Sequence, residues 1–143
     1  NKTAYVFGIG MLISYDYYPM AAVMAGGMIP PFVIALTATL FKDRFEVRKD
    51  ALMNYINGIS FISEGAIPFI QKESQIILPA CCLSAGLAGA LSMYFNCSIA
   101  SPHGGLFLIW MVQNPISYLS LIVCSTLVGT ILLILFTKIK KES

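Results

Sequence analysis

From residue 74 to residue 137 the chain carries no Asp, Glu, Lys or Arg, and a second run without them covers 17–41. That constrains the fold more than any other feature. A water-soluble domain holds roughly a quarter of its residues as charges. Here 11% are charged, 57% are hydrophobic and the mean hydropathy is +0.78. Apolar stretches of about 20 residues match the ~30 Å hydrocarbon core of a bilayer, and a helix satisfies its backbone polar groups within itself. The chain is expected to be an all-α, polytopic membrane protein, with the lipid bilayer as its solvent.

The spans fall at 20–41, 76–95 and 116–137, and a shorter apolar stretch at 4–14 precedes them. Tyr15, Tyr17 and Tyr18 surround Asp16 as an interfacial aromatic cluster, and Pro19 is expected to break the helix there. "AGGMIPPF" pairs Gly26 with Gly27 and Pro30 with Pro31. It reads either as a bend or as a discontinuous helix lining a cavity. "KDRFEVRKD" at 42–50 places Lys42, Arg44, Arg48 and Lys49 in one loop, the signature of a cytoplasmic face, and the "KIKKES" tail repeats it. "SAGLAGALS" offers small residues along which another helix can approach closely. Cys81, Cys82, Cys97 and Cys124 lack metal or redox spacing and read as small buried hydrophobes. The net charge of +2 says little, because the basic residues sit in short loops. The sequence opens on Asn1-Lys2-Thr3 rather than Met, so the chain is expected to be incomplete.

Placing both basic segments on one side requires an even number of crossings between them, and 76–95 with 116–137 already supply two. The intervening segments 51–71 and the "SPHGG" region are then economical as two re-entrant hairpins, one carrying Glu64 and the other His103, with tips that meet inside the membrane. A carboxylate in the bilayer centre costs about 2.5–3.5 kcal/mol, so Glu64 is expected to face a polar cavity or a partner. A sugar hydroxyl suits it; a structural ion pair, an interfacial position or proton coupling remain alternatives. Gly65 is read as allowing close approach of substrate to the backbone, and Pro68 as stopping the helix. His103 is the only histidine in the chain; it can donate, accept and titrate near neutrality, and Gly104 and Gly105 after it suit a tight turn beside a ligand. An ordinary hydrogen-bonded histidine in an outer loop is the bland alternative. No phosphate-binding loop, dinucleotide fingerprint, zinc spacing or nucleophile elbow occurs, and no basic aromatic stripe suggests nucleic acid. The motifs call for no metal and no other cofactor. From the residues alone, the expectation is a small-solute transporter with a polar site between hairpins.

Beyond that, "NKTAY", "YPMAAVMAGGMIPPFVIAL", "GISFISEGAIPF" and "AGALSMYFNCSIASPHGGLF" resemble, in order and spacing, the C-terminal half of the membrane IIC component of fructose-type permeases of the phosphoenolpyruvate:sugar phosphotransferase system (PTS). The resemblance covers nearly all of 1–143 and includes neither a IIA nor a IIB domain. It implies uptake of fructose or a fructose-like sugar with phosphorylation on entry, the phosphoryl group coming from a cysteine on a partner IIB domain that a IIA histidine has charged. It implies a multi-pass protein of the bacterial inner membrane, paired with the N-terminal half of the IIC domain, and a homodimer. It carries a sugar-site role to Glu64 and His103, either of which would act as general base. Ser63, Gly65, Gly104 and Asn1 belong to the same motifs. Ser63 stands where the resemblance expects Thr, and keeps the hydroxyl. A non-phosphorylating channel, an ion-coupled transporter and an inactive remnant are the competing readings.

Overall fold

A computed structural model describes residues 2–41 and 48–142. Among these residues six α-helices form: α1 (Lys2–Ile13), α2 (Tyr18–Leu40), α3 (Arg48–Ile59), α4 (Ile67–Lys72), α5 (Ser74–Tyr94) and α6 (Pro115–Glu142). Two 3-10 helices, Ser63–Ala66 and Gly105–Met111, lie between them. The described residues contain no strand, as an all-α membrane protein requires. Among the described residues three helices are long and apolar enough to cross a membrane, α2, α5 and α6, at the three positions expected from the charge-free runs. Lys42 and Arg44 of the basic loop lie outside the described residues, as does the side chain of Arg48.

Helix α2 is the core of the bundle. It packs on α1, α3, α5 and α6, and 72% of its spanning part is buried by the rest of the chain, against 39% for α5 and for α6. Lipid is as apolar as leucine, so adhesion between such helices comes from close packing. The small residues of α5 supply it on two sides. Ala85 lies against Gly26, whose missing Cβ would sit 3.1 Å from the Ala85 carbonyl oxygen. On the other side Ser84 fills the space beside Gly129 of α6. The hydroxyls of Ser84, Thr37, Thr126 and Thr130 donate to the carbonyl four residues earlier, at 2.7–2.9 Å, so each is satisfied within its own helix.

These pairings set direction. Gly26 against Ala85 and Ala22 beside Gly89 run α2 and α5 antiparallel. The Tyr118 hydroxyl donates to the Ala21 carbonyl at 3.3 Å, and Gly129 packs on Val33, so α6 runs parallel to α2. The start of α2 and the end of α5 share one end of the bundle, where the Ile99 amide donates to the Tyr17 carbonyl at 3.2 Å. The end of α2 and the start of α5 therefore share the other. Segment 41–73 leaves and returns at that second end. Segment 95–114 does the same at the first: the Gln113 amide donates to the Ser98 carbonyl at 3.0 Å, the Ser98 hydroxyl to Gln113 at 2.9 Å, and the Asn114 carboxamide to the Phe95 carbonyl at 3.1 Å. Segment 95–114 is thus a hairpin closed at its base, and the helices flanking 41–73 lie together at the other end of the bundle, as the parity argument requires.

Two sequence expectations are corrected. Helix α2 is continuous through Pro30 and Pro31, so the discontinuous-helix alternative falls. A proline leaves the carbonyl four residues back without a donor and crowds it; here those carbonyls belong to Gly26 and Gly27. Neighbours pack on both glycines, Ala85 on one and the Phe61 ring on the other, and hold the helix through the defect. Pro68 does not stop a helix but starts one, in the first turn of α4, where its missing N–H costs nothing. The break expected at Pro19 is present between Ile13 and Tyr18, and Pro19 itself lies in the first turn of α2.

Candidate functional site

The two hairpin tips meet. Helix α3 ends in a Schellman motif: the Phe61 amide donates to Gly58 at 3.2 Å and the Ile62 amide to Asn57 at 2.7 Å. The residue that turns left-handed there is usually glycine, but here it is Phe61, at φ 60°. Its ring fills the space over Gly27, near the middle of α2. Against this turn comes the second tip. Gly104 and Gly105 adopt φ 122° and 55°, and the position a Cβ of Gly105 would take is already held by the Ile59 carbonyl oxygen, with the Phe61 amide nitrogen at 2.9 Å. Only glycine fits such a backbone-to-backbone contact.

Where the tips join, a cavity of about 200 Å³ is lined by Lys2, Tyr5, Phe61, Ser63, Glu64 and His103. It is smaller than the roughly 300–1,000 Å³ pockets of drug-sized ligands and suits a small polar solute. Lys2, Glu64 and His103 are exposed to it, while Tyr5, Phe61 and Ser63 are half-buried. Glu64 lies in the 3-10 turn after α3, and His103 immediately precedes the glycine pair. The Tyr5 hydroxyl approaches His103, 2.6 Å from Nε2 and 3.0 Å from Nδ1. The Ser101 hydroxyl donates to the His103 carbonyl at 2.9 Å, which fixes the main chain behind the ring. The arrangement joins a cation, a carboxylate, two hydroxyls and an imidazole in one recess. It can hold several hydroxyls of a ligand and accept a proton from one of them. Among the described residues, no three His, Cys, Asp or Glu side chains cluster as metal ligands would.

The sequence-derived site residues divide. Glu64, Ser63 and His103 reach the cavity. Gly65 and Gly104 do not line it. The free side of Gly65, read from the sequence as open to substrate, is filled by the carboxamides of Asn54 and Asn57, which bond to each other at 3.2 Å. Asn54 is 1% exposed. Gly104 packs on Leu108 and serves the turn. Asn1 lies outside the described residues. Three lining residues, Lys2, Tyr5 and Phe61, were not singled out from the sequence. The signal available was the position of Lys2 and Tyr5 within the "NKTAY" motif.

Comparison with known proteins then places the chain. Over 132 residues, 91% of its length, it is 44% identical to the PTS system fructose-specific EIIB'BC component of Vibrio cholerae, of which the match covers 23%. Over 144 residues, 99% of its length, it is 38% identical to the fructose permease IIC component of Bacillus amyloliquefaciens, covering 47% of it. Nine-tenths or more of the chain is thus similar to proteins named as fructose-specific PTS membrane components. The PTS system fructose-specific EIIC component of Haloferax volcanii is 33% identical over 92% of the chain, with 36% of that protein covered. The chain thus spans a quarter to a half of the length of these PTS relatives. No family model and no solved structure matches it.

Proposed function

We propose that this chain forms part of the membrane pathway of a PTS permease that takes up fructose or a fructose-like sugar and releases it phosphorylated. The observation that carries this reading is the convergence of Glu64 and His103, from two separate hairpins, on one small cavity in a chain homologous to fructose-specific EIIC components. The sugar's attacking hydroxyl gives its proton to Glu64 or His103 as its oxygen bonds phosphorus. The sulfur–phosphorus bond of a partner's phosphocysteine breaks, and the thiolate leaves. Phosphoryl transfer asks the protein chiefly for positioning and charge stabilisation. Lys2, the cation on the cavity, suits the phosphoryl oxygens. Ser63 and Tyr5 offer hydroxyls to the sugar.

In this reading the partners are PTS IIB and IIA domains, such as those that relatives named EIIB'BC and EIIABC carry by name, together with the remaining half of the IIC domain. The chain sits multi-pass in the plasma membrane with the basic loop inside, and both hairpins re-enter the bilayer. A homodimer suits the apolar outer faces of α5 and α6, where Leu83, Val123 and Ile131 are more than half exposed. The deciding experiment uses membrane vesicles containing the complete permease. Sugar phosphate forms inside only when phosphoenolpyruvate and the soluble carriers are supplied; free sugar accumulating without them identifies a channel or an ion-coupled transporter instead.

A further inference from the structure

We propose that a cleft between α2 and α5 seats one apolar membrane-spanning helix from the part of the IIC component outside 1–143, and that this helix forms a further wall of the sugar cavity. The identity of the partner rests on the function proposed above; the seat is a property of the cleft alone.

The cleft has a volume of about 830 Å³, roughly four times that of the cavity at the hairpin tips. On α5 its lining runs from Leu78 to Met93, about 22 Å of helix at 1.5 Å per residue. That is most of the thickness of a ~30 Å hydrocarbon core. Its floor is made of small residues, Ala22 and Gly26 from α2 and Gly86 and Gly89 from α5. A Cβ on Gly86 would meet nothing within 4 Å, and one on Gly89 would meet only Ala22, at 3.6 Å. Such glycines let another backbone approach closely, and close packing is what joins helices in lipid. Gly26 already receives Ala85 in this way, whereas Gly86 stands open.

The charges in the cleft decide between occupants. Lys2, Ser63 and Glu64 line it as well as the sugar cavity. Glu64 follows Phe61 by three residues, and the Phe61 ring covers Gly27 near the middle of α2. Lipid tails filling the cleft would lie against a carboxylate and an ammonium that hydrocarbon cannot solvate. A second copy related by a two-fold axis would set cleft against cleft, and two concave surfaces leave each other empty. A single helix is convex. It fits when it is apolar along Ile67, Ile70 and Leu78 and carries a hydrogen-bonding side chain where it passes Glu64. The match to the fructose permease IIC component of Bacillus amyloliquefaciens covers 47% of that protein, so more than half of its length lies beyond the match and can supply the helix.

The test uses the complete permease in its membrane. A diazirine-bearing aliphatic amino acid replaces Cys82, which lines the cleft and is exposed, and the products of illumination are mapped by mass spectrometry. It is expected to couple to one apolar segment of the IIC component outside the part equivalent to 1–143. Coupling to phospholipid alone, or to no segment beyond 1–143, overturns the proposal. Gly86→Leu is the second variant. Its side chain enters open space in this chain, so membrane insertion is expected to stay intact. By displacing the seated helix it is expected to lower the midpoint for thermal loss of monodisperse permease. An unchanged or higher midpoint means that this face meets lipid, and overturns the proposal as well. A permease that couples as expected yet forms no sugar phosphate removes the proposed function and leaves the seat standing.

Discussion

The carbonyl oxygen of Ile59 occupies the place where a side chain on Gly105 would begin. One atom at the end of α3 thus seats the hairpin that carries His103. Gly105→Ala is expected to force the two tips apart, because neither the carbonyl nor a residue at φ 55° can yield cheaply. The cost should be about 1–3 kcal/mol. It should appear as a lower midpoint for thermal loss of monodisperse protein in detergent, with sugar phosphorylation falling in the complete permease.

Gly65 rests on the Asn54–Asn57 pair. Gly65→Ala should break their 3.2 Å hydrogen bond and leave the buried Asn54 Oδ1 without that donor, at about 1–3 kcal/mol. Trimming Asn57 to alanine in the same protein should restore part of the loss, since the two changes share one space. Strictly additive losses in a thermal-stability cycle would show that the pair does not support the Glu64 turn.

Glu64→Gln and His103→Ala, made in the complete permease, should abolish sugar phosphorylation while leaving membrane insertion intact. Insertion is read by membrane fractionation and transport by labelled sugar. Normal uptake in either variant would take that residue out of the site.

Single cysteines at positions 49 and 72 should label from the same face of sealed vesicles, because 41–73 begins and ends at one end of the bundle. A cysteine at position 15, in the turn between α1 and α2, should label from the opposite face. Positions 49 and 72 on opposite faces would mean that this segment crosses the membrane.

Cys97 lies beyond the end of α5, is fully buried, and burial pushes its thiol up. In a single-cysteine protein it should react with a maleimide more slowly than a cysteine at exposed position 49, in detergent and at the same pH. An acid held protonated in the fold makes the unfolded chain the first to ionise. Stability from this site is therefore complete below the unfolded thiol range near about 8.5 and declines as pH rises above it. A Cys97→Ala variant whose stability changes with alkaline pH as steeply as the wild type would show that the thiol contributes nothing to that slope.

The spans were legible because charge is excluded from lipid, and a run without charge can be counted. Glu64 and His103 stood out for the same reason, as polar groups in segments too short or too interrupted to cross. Other features depend on what stands opposite in space. The passage of α2 through Pro30 and Pro31 depends on Ala85 and Phe61, which lie 54 and 30 residues from them. The Schellman turn at Phe61 carries no glycine to announce it. The Asn54–Asn57 pair stands at helical spacing, but nothing in the sequence says that Gly65 folds back on it. Tyr5 enters the site across 98 residues, a separation that no local pattern encodes.

The ladder at Ser98, Gln113 and Asn114 pinches the His103 loop shut at its neck. Beyond the imidazole, Gly105 is wedged on the Ile59 carbonyl. The loop is therefore pinned at two places, and His103 stands between them on a short tether of main chain.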